Sequence, residues 1–268
     1  MGTHTNESEV EHIAKPLIGL QLYTVRDQTE KDFLGTIRKV AEMGYQAVEF
    51  AGYYNTPASE IKALVDELQL KAPSAHVGLN FGEPANMAAD LAKQIKTAQM
   101  LGITYLIVPW APLPETPTAD DVKHLAGMLE LAGKQAAQAG LQLGYHNHDF
   151  EFKLVDDKPI IDHLLSTVPA ELLVAEFDLG WMHLAGFKIS DYVKKYAGRV
   201  PLAHCKDFDK GRKDVVIGQG IVDLKSVLPI AEQAGIEYLF VEQEEFENAS
   251  SLACAEAALD FFRSNGML

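Results

Sequence analysis

The chain has little cysteine, little positive charge and no long apolar run. Its two cysteines, Cys205 and Cys254, show no pairing pattern, so we expect no disulfide framework and a reducing, cytoplasmic location. The net charge of -15, from 38 acidic and 23 basic side chains, would repel nucleic acid over most of the surface. No apolar run approaches the ~20 residues that span a bilayer, so no membrane partner is expected.

The first sixteen residues also lack a basic start and an apolar centre, the two features of a secretion signal. We interpret residues 1–16 as a flexible leader and residues 17–268 as one domain. The whole chain has 268 residues, of which 47% are hydrophobic. This length is close to the ~250 residues of a lone α/β barrel, and the composition is sufficient for a sizeable core.

From residue 17 onwards, short apolar runs alternate with longer amphipathic ones, which is typical of βα units around a parallel sheet. The pattern predicts eight strands, at Ile18–Tyr23, Ala47–Phe50, Ala72–His76, Tyr105–Val108, Leu141–His148, Leu172–Asp178, Val200–Lys206 and Tyr238–Glu242. Helical periodicity separates them, for example over Phe33–Met43 and Ile61–Leu68.

Glycines just before the strands are suited to end the preceding helices; they are Gly44, Gly102, Gly140 and Gly235. A doubly wound sheet would show a similar alternation, but it usually has a glycine-rich loop after its first strand. No such loop follows here. We therefore predict a single (β/α)8 TIM barrel.

Polar residues stand at the predicted C-terminal end of nearly every strand, where such barrels build their active sites. In chain order they are Gln21, Tyr23, Glu49, His76, Trp110, His146, His148, Asp178, His204, Lys206 and Glu242. Any one of them could be a helix cap or a buried structural histidine. Together they would repel or desolvate one another unless a cation or substrate compensates. We predict one divalent ion: Mn, Mg, Co or Zn.

Asp178, His204 and Glu242 offer two carboxylates and an imidazole to that ion. A fourth ligand is expected near the end of the fifth strand, where two candidates stand. Glu151 is slightly preferred, because a third carboxylate suits an ion that binds sugar hydroxyls. His146 is the alternative, with Glu151 then orienting it as a hydrogen-bond acceptor.

His146 and His148 are two residues apart, so both should face the barrel interior. They are the candidate bases, with Glu49 and Lys206 as partners. The alternative for Lys206 is a surface ion pair with Asp207 or Asp209. The candidate substrate-binding residues, including two tryptophans as flat walls for a sugar ring, are Gln21, Tyr23, His76, Trp110 and Trp181.

Eight stretches carry a family resemblance: LQLYTVR at 20–26, VEFAG at 48–52, SAHVG at 74–78, GYHNHDFEF at 144–152, EFDLGWMHLAG at 176–186, HCKDF at 204–208, GQGIVDL at 218–224 and FVEQEE at 240–245. On these, residues 17–265 resemble the xylose isomerase-like barrel superfamily, in its sugar phosphate isomerase/epimerase branch. The resemblance implies one divalent ion held by Glu, Asp, His and Glu from strands five to eight. Asp178, His204 and Glu242 match, whereas His146 stands where the first glutamate is usual.

The resemblance also implies a small carbohydrate substrate, either a keto sugar or a related polyol that is isomerised or epimerised by proton abstraction next to a carbonyl. The paired histidines resemble those of keto-inositol dehydratases, so a lyase acting on a keto-inositol or 3-keto-glycoside is the first alternative. A non-catalytic sugar-binding barrel is the second. The scattered arginines argue slightly against a phosphorylated substrate, and a homo-oligomer is compatible with the resemblance.

Overall fold

In a computed structural model of the chain, residues 15–268 are described. The predicted leader therefore lies outside the described residues, except for Lys15 and Pro16. No helix within residues 15–268 is long and apolar enough to cross a membrane.

Eight parallel strands close into a barrel, which confirms the predicted fold. They are β1 (Leu17–Gln21), β2 (Ala47–Phe50), β3 (Lys71–His76), β4 (Tyr105–Val108), β5 (Gln142–His146), β6 (Val174–Asp178), β7 (Leu202–Cys205) and β8 (Tyr238–Val241). Neighbours in the chain are neighbours in the sheet, and β8 closes on β1 with Leu17 beside Tyr238. All eight C-terminal strand ends therefore lie on one face.

Helices surround the barrel; all but the last lie between strands in sequence, and the last follows β8. They are α1 (Arg26–Thr29), α2 (Phe33–Met43), α3 (Ala58–Glu67), α4 (Pro84–Leu101), α5 (Ala119–Gln138), α6 (Ile160–Thr167), α7 (Leu179–Leu184), α8 (Ile189–Lys195), α9 (Leu228–Ala234) and α10 (Ser251–Ser264). Two short hairpins pair Leu154–Val155 with Lys158–Pro159 and Asp207–Phe208 with Asp214–Val215.

Local sequence signals explain where the helices begin and end. Asp32 accepts a hydrogen bond from the Gly35 amide at 2.9 Å and so caps α2. Thr118 and Asp121 form a reciprocal capping box at the start of α5. Gly44 ends α2 with a left-handed φ of 106°, a conformation that glycine adopts without a Cβ clash. The predicted helix-ending role of this glycine is confirmed.

An apolar layer fills the barrel interior below the polar side chains of the C-terminal strand ends. Ala47, Ile107, Leu202 and Phe240 pack together there, and all four are fully buried. Gly19 leaves room for Phe240, since a Cβ at this glycine would lie 2.4 Å from the phenylalanine ring. This layer forms the floor on which the polar side chains lie.

Five strands (β1, β5, β6, β7 and β8) are shorter than predicted, and three of the differences affect the site. β5 ends at His146, so His148 lies in the following loop. β7 ends at Cys205, so Lys206 also lies beyond its strand. β1 ends at Gln21, whose side chain accepts a hydrogen bond from the Tyr23 amide and starts a 3-10 turn.

Candidate active site

The two-residue period of β-strands directs a set of polar side chains into the barrel above the apolar floor. Glu49, His204 and Glu242 each follow a floor residue by two positions, and each is buried. Residues two apart on a strand point to the same side. The side chains that face inward on neighbouring strands therefore meet at one height.

Four of these groups form a compact set that we call the outer cluster: His146, Asp178, His204 and Glu242. Each is buried and offers a ligand atom within 4.8 Å of the others. Asp178 Oδ1 accepts the Trp181 amide at 2.9 Å, whereas its Oδ2 has no hydrogen-bond partner within residues 15–268. This buried, unpaired carboxylate oxygen and the mixed oxygen and nitrogen donors fit a divalent metal ion.

A second set of groups, Glu49, His76 and Glu176, packs against the outer cluster, and we call it the deep layer because both of its carboxylates are fully buried. His76 Nε2 is 2.7 Å from Glu176 Oε2 and 3.1 Å from Glu49 Oε1. Glu49 Oε1 also lies 2.7 Å from His204 Nε2, and Glu176 Oε2 lies 3.2 Å from His146 Nδ1. Both histidines of the outer cluster therefore direct one ring nitrogen towards a deep carboxylate.

Sequence reasoning missed Glu176 and placed Asn147 at the end of the fifth strand without a role. Glu176 stands two residues before Asp178 on β6, so its alternation with Asp178 was the available signal. Asn147 donates to the Asp178 carbonyl at 3.2 Å and accepts the Asp178 amide at 3.2 Å. This reciprocal pair fixes the end of β6 against the end of β5.

Burial and neighbouring charges shift the pKa values of the site in opposite directions. Burial raises the pKa of Asp178 to about 7, where the negative charge of Glu242 also raises it and Lys206 opposes the change. Burial alone would lower the pKa of His76, but Glu49 and Glu176 outweigh this effect and raise it to about 10. Positive charge on the His76 imidazole therefore balances the carboxylates around it.

Lys206 is fully buried and makes contacts that are inconsistent with a surface ion pair. Its Nζ lies 3.2 Å from Glu242 Oε2, is bonded to Glu244 and lies 5.2 Å from the Trp181 ring centroid. Burial by itself would lower the pKa of Lys206, but the nearby carboxylates outweigh this effect and raise the pKa above its usual value. The predicted surface ion pair with Asp207 or Asp209 is wrong, because both carboxylates instead accept backbone amides of nearby loops.

Glu151 does not join the outer cluster. One of its oxygens accepts the Tyr145 hydroxyl at 2.8 Å and the other accepts the His148 amide at 2.8 Å. Burial raises the pKa of Glu151 to about 7. In this arrangement the carboxylate holds the loop that follows β5.

A cavity of about 400 Å³ opens above the outer cluster. Its ionisable wall follows mainly β5 and β8 and consists of His76, His146, His148, Glu242 and Glu244. Its apolar wall follows β1, β2 and β4 and consists of Tyr23, Ala51, Pro109 and Trp110. Trp110 and Tyr23 keep 54% and 41% of their surface exposed.

Two predicted substrate-binding residues, Gln21 and Trp181, lie outside the cavity lining. Gln21 is fully buried and donates to Glu49 at 2.7 Å. Trp181 packs against Phe208, with ring centroids 4.8 Å apart, and lies 5.9 Å from the His148 ring. Neither lines the cavity, so their contacts support the residues that do.

A model of the xylose isomerase-like TIM barrel matches residues 37–265. The chain belongs to this family. An inosose dehydratase of Geobacillus kaustophilus is 23% identical over 188 residues, which cover 64% of this chain and 60% of that protein. Another inosose dehydratase, from Clostridium perfringens, is 27% identical over 47% of this chain. The matches span about half to three fifths of these relatives.

Two solved structures share the fold at low sequence identity. A sugar phosphate isomerase/epimerase from Parabacteroides distasonis is 24% identical with a TM-score of 0.84, over 95% of this chain and 99% of that one. The IolI protein with a bound zinc atom is 13% identical with a TM-score of 0.77, over 92% and 97% of the two chains. At these identities the likeness establishes the barrel.

Proposed function

We propose that the chain is a divalent-metal-dependent enzyme that removes a proton next to the carbonyl of a keto sugar or related polyol. Return of a proton to the neighbouring carbon would give isomerisation, and return to the opposite face of the same carbon would give epimerisation. The observation that carries this proposal is the Asp178 carboxylate. Its Oδ2 is buried, has no hydrogen-bond partner in the described part of the chain and belongs to the outer cluster. Such an oxygen costs free energy unless a cation meets it.

The outer cluster would hold the ion, with His146 as the fourth ligand. Glu151 would act differently, since both of its oxygens are already bonded to Tyr145 and His148. Two imidazoles and two carboxylates suit Zn²⁺, Mn²⁺ or Co²⁺ better than a soft metal that prefers thiolate ligands. When bound, the ion would stabilise the negative charge that develops on the substrate carbonyl oxygen.

His148 would be the base. It lines the cavity beside His146, with ring centroids 5.2 Å apart, and its buried Nδ1 has no hydrogen-bond partner within residues 15–268. Lys206 contacts Glu242 and Glu244 and would remain a fixed cation that balances these two carboxylates. Glu49 would act through His204, to which it is bonded.

A second candidate is a lyase, because the curated relatives described above are inosose dehydratases. Both reactions would begin with the same proton removal. In an isomerase or epimerase a carbon atom takes the proton back. In a dehydratase the neighbouring carbon–oxygen bond breaks and the leaving hydroxyl takes a proton, releasing water.

The test compares the wild type with Glu242→Gln and with Glu247→Gln, an exposed control. Metal content is measured by elemental mass spectrometry, and deuterium exchange into ketohexoses and inososes by NMR. We expect one ion per chain and exchange in the wild type and the control. Both should be lost in Glu242→Gln, because one ligand is removed. The product spectrum separates epimer from dehydrated ketone.

Thermal unfolding checks that Glu242→Gln is folded. The absence of any bound or restorable ion in the wild type, together with no exchange, would overturn the proposal.

A further inference from the structure

Two members of the deep layer and two histidines of the outer cluster form a second set of metal-ligand atoms. His76, His146, Glu176 and His204 each offer one such atom, and these four atoms lie within 4.8 Å of one another. We call this set the histidine-rich cluster. It shares two histidines with the outer cluster, but it has three imidazoles and one carboxylate where the outer cluster has two of each.

The distances within the histidine-rich cluster are close to those that one metal ion requires. Glu176 Oε2 lies 2.7 Å from His76 Nε2. The same oxygen lies 3.2 Å from His146 Nδ1 and 3.3 Å from His204 Nε2. Ligand atoms that are ~2.1 Å from an ion stand roughly 3 to 3.4 Å apart in square or tetrahedral geometry. The centroids of the three imidazole rings are 4.5, 5.1 and 5.2 Å apart.

The two shared imidazoles have a nitrogen to offer on each side. His204 Nε2 lies 2.7 Å from Glu49 Oε1, and its Nδ1 lies 3.2 Å from Glu242 Oε2. A neutral imidazole carries only one ring proton, so a cation on either side satisfies the nitrogen that has none. His146 Nδ1 is buried and directed at Glu176, yet it has no hydrogen-bond partner within residues 15–268. This unpaired nitrogen is available to an ion in the histidine-rich cluster.

An ion can reach the histidine-rich cluster from the cavity. His76 and His146 both line the cavity, and 12% of the His76 side chain is exposed. Glu49 lies on the far side, with Oε1 3.1 Å from His76 Nε2. It would orient the ligand histidines and, together with Glu176, match the charge of a divalent ion.

We propose that the histidine-rich cluster is a second metal site, which binds Cu²⁺ and excludes an ion from the outer cluster. Three imidazoles favour metals that prefer nitrogen, and Cu²⁺ binds such ligands most tightly among the divalent first-row metals. Copper would take His146 Nδ1 and His204 Nε2, and the opposite nitrogens would keep the protons. The outer cluster would then lack two of its four ligands. This exclusion rests on the proposed function, whereas copper binding does not.

The test follows copper in full-length protein by electron paramagnetic resonance and elemental mass spectrometry. The parent protein carries His4→Gln and His12→Gln, so that histidines outside the described residues supply no copper ligand. In this background, His76→Gln changes only the histidine-rich cluster and Glu242→Gln changes only the outer cluster. His124→Gln removes an exposed histidine and is the control. Metal-free proteins are titrated with Cu²⁺, and the parent is also titrated after loading with one equivalent of Mn²⁺.

We expect the copper spectrum of the parent to show coupling to three imidazole nitrogens. His76→Gln should weaken copper binding by ~100-fold or more, because losing a ligand costs at least as much as losing a group that orients one. Glu242→Gln and His124→Gln should bind copper as tightly as the parent. In the manganese-loaded parent, one Mn²⁺ should be released for each Cu²⁺ bound.

Coupling to only two nitrogens in the parent would overturn the copper site, and this spectrum decides even if His76→Gln fails to fold. Unchanged affinity in folded His76→Gln would also overturn it. Loss of copper binding in Glu242→Gln would place the copper in the outer cluster instead. Copper bound while manganese is retained would overturn the exclusion.

The copper site and the proposed function can fail separately. Coupling to three nitrogens in a protein that shows no deuterium exchange with any divalent metal would leave the copper site standing and reject the enzyme proposal. Exchange in the manganese-loaded protein, together with coupling to two nitrogens in the copper-loaded one, would support the enzyme and reject the copper site.

Discussion

The two walls of the cavity belong to one sheet but differ in burial and charge. On the ionisable wall, His146 and Glu242 are almost fully buried beside other titratable groups. On the apolar wall, Trp110 and Tyr23 are among the most exposed large side chains. Charged groups withdrawn from water need mutual compensation, whereas an exposed aromatic ring does not. Under the proposed function, the chemistry would take the ionisable part of the rim, and substrate contact the apolar part.

The floor beneath both walls is the same, since Ala47, Ile107, Leu202 and Phe240 come from both halves of the barrel. The difference between the walls thus arises above this layer, in the residues at and after the strand ends. Variants of one wall should accordingly leave the properties of the other unchanged.

The largest effect expected is that of His148→Asn on the reaction. Loss of a general base typically lowers the rate by ~10² to 10⁴-fold, so deuterium exchange should fall by this factor. Metal content should stay unchanged, because His148 is outside the outer cluster and its backbone amide still bonds Glu151. Loss of metal together with exchange would show that His148 is a ligand.

Glu151→Gln should change how stability depends on pH. Burial raises the pKa of Glu151 from 4.5 to about 7, so between these values the folded state holds a proton that the unfolded chain releases. Binding of this proton therefore stabilises the folded state fully below pH 4.5, and the stabilisation is lost as the pH rises through 7. The free energy of unfolding of Glu151→Gln, relative to that of the wild type, should therefore rise by about 3 kcal/mol between pH 4 and pH 8.

Urea denaturation at a series of pH values, in the presence of chelator, measures this difference. Tyr23→Phe, on the apolar wall, should follow the wild type throughout. A Glu151→Gln curve that also runs parallel to the wild type would contradict the raised pKa.

A smaller effect is expected from Glu176→Gln on metal affinity. Its Oε2 lies 3.2 Å from His146 Nδ1 and 3.3 Å from His204 Nε2. Removing a carboxylate that orients ligand histidines typically weakens metal binding ~10 to 100-fold. Competition with a chromophoric zinc chelator measures the change, and Trp110→Ala should bind zinc as the wild type does. Unchanged affinity in Glu176→Gln would mean that the deep layer does not orient the histidines.

Much of the site could be read from residue positions along single strands. Asp178, His204 and Glu242 were recognisable because each stands at or just beyond the end of an apolar run. The same reasoning predicted that His146 and His148 would face the barrel interior. Both line the cavity, although His148 lies in the loop after β5. Glu176 escaped notice because it lies inside the apolar run Leu172–Asp178, where a charged residue gives no signal of strand end.

The roles of Glu151 and Lys206 depended on contacts that sequence spacing does not encode. Glu151 was a credible ligand by residue type, yet a short 3-10 turn brings its oxygens to Tyr145 and the His148 amide. Lys206 reaches Glu244 across 38 positions of sequence. Neither contact follows from a local pattern.

The sequence by itself determined the barrel and the inward direction of its strand-end side chains, because alternation and helix-ending glycines are local properties of the chain. The tertiary structure alone decided which inward groups meet. Barrel closure and strand register bring Glu49 to His204 and His76 to Glu176, and these pairs are separated by 100 residues or more. Their distances follow from the packing of the whole sheet around one apolar floor.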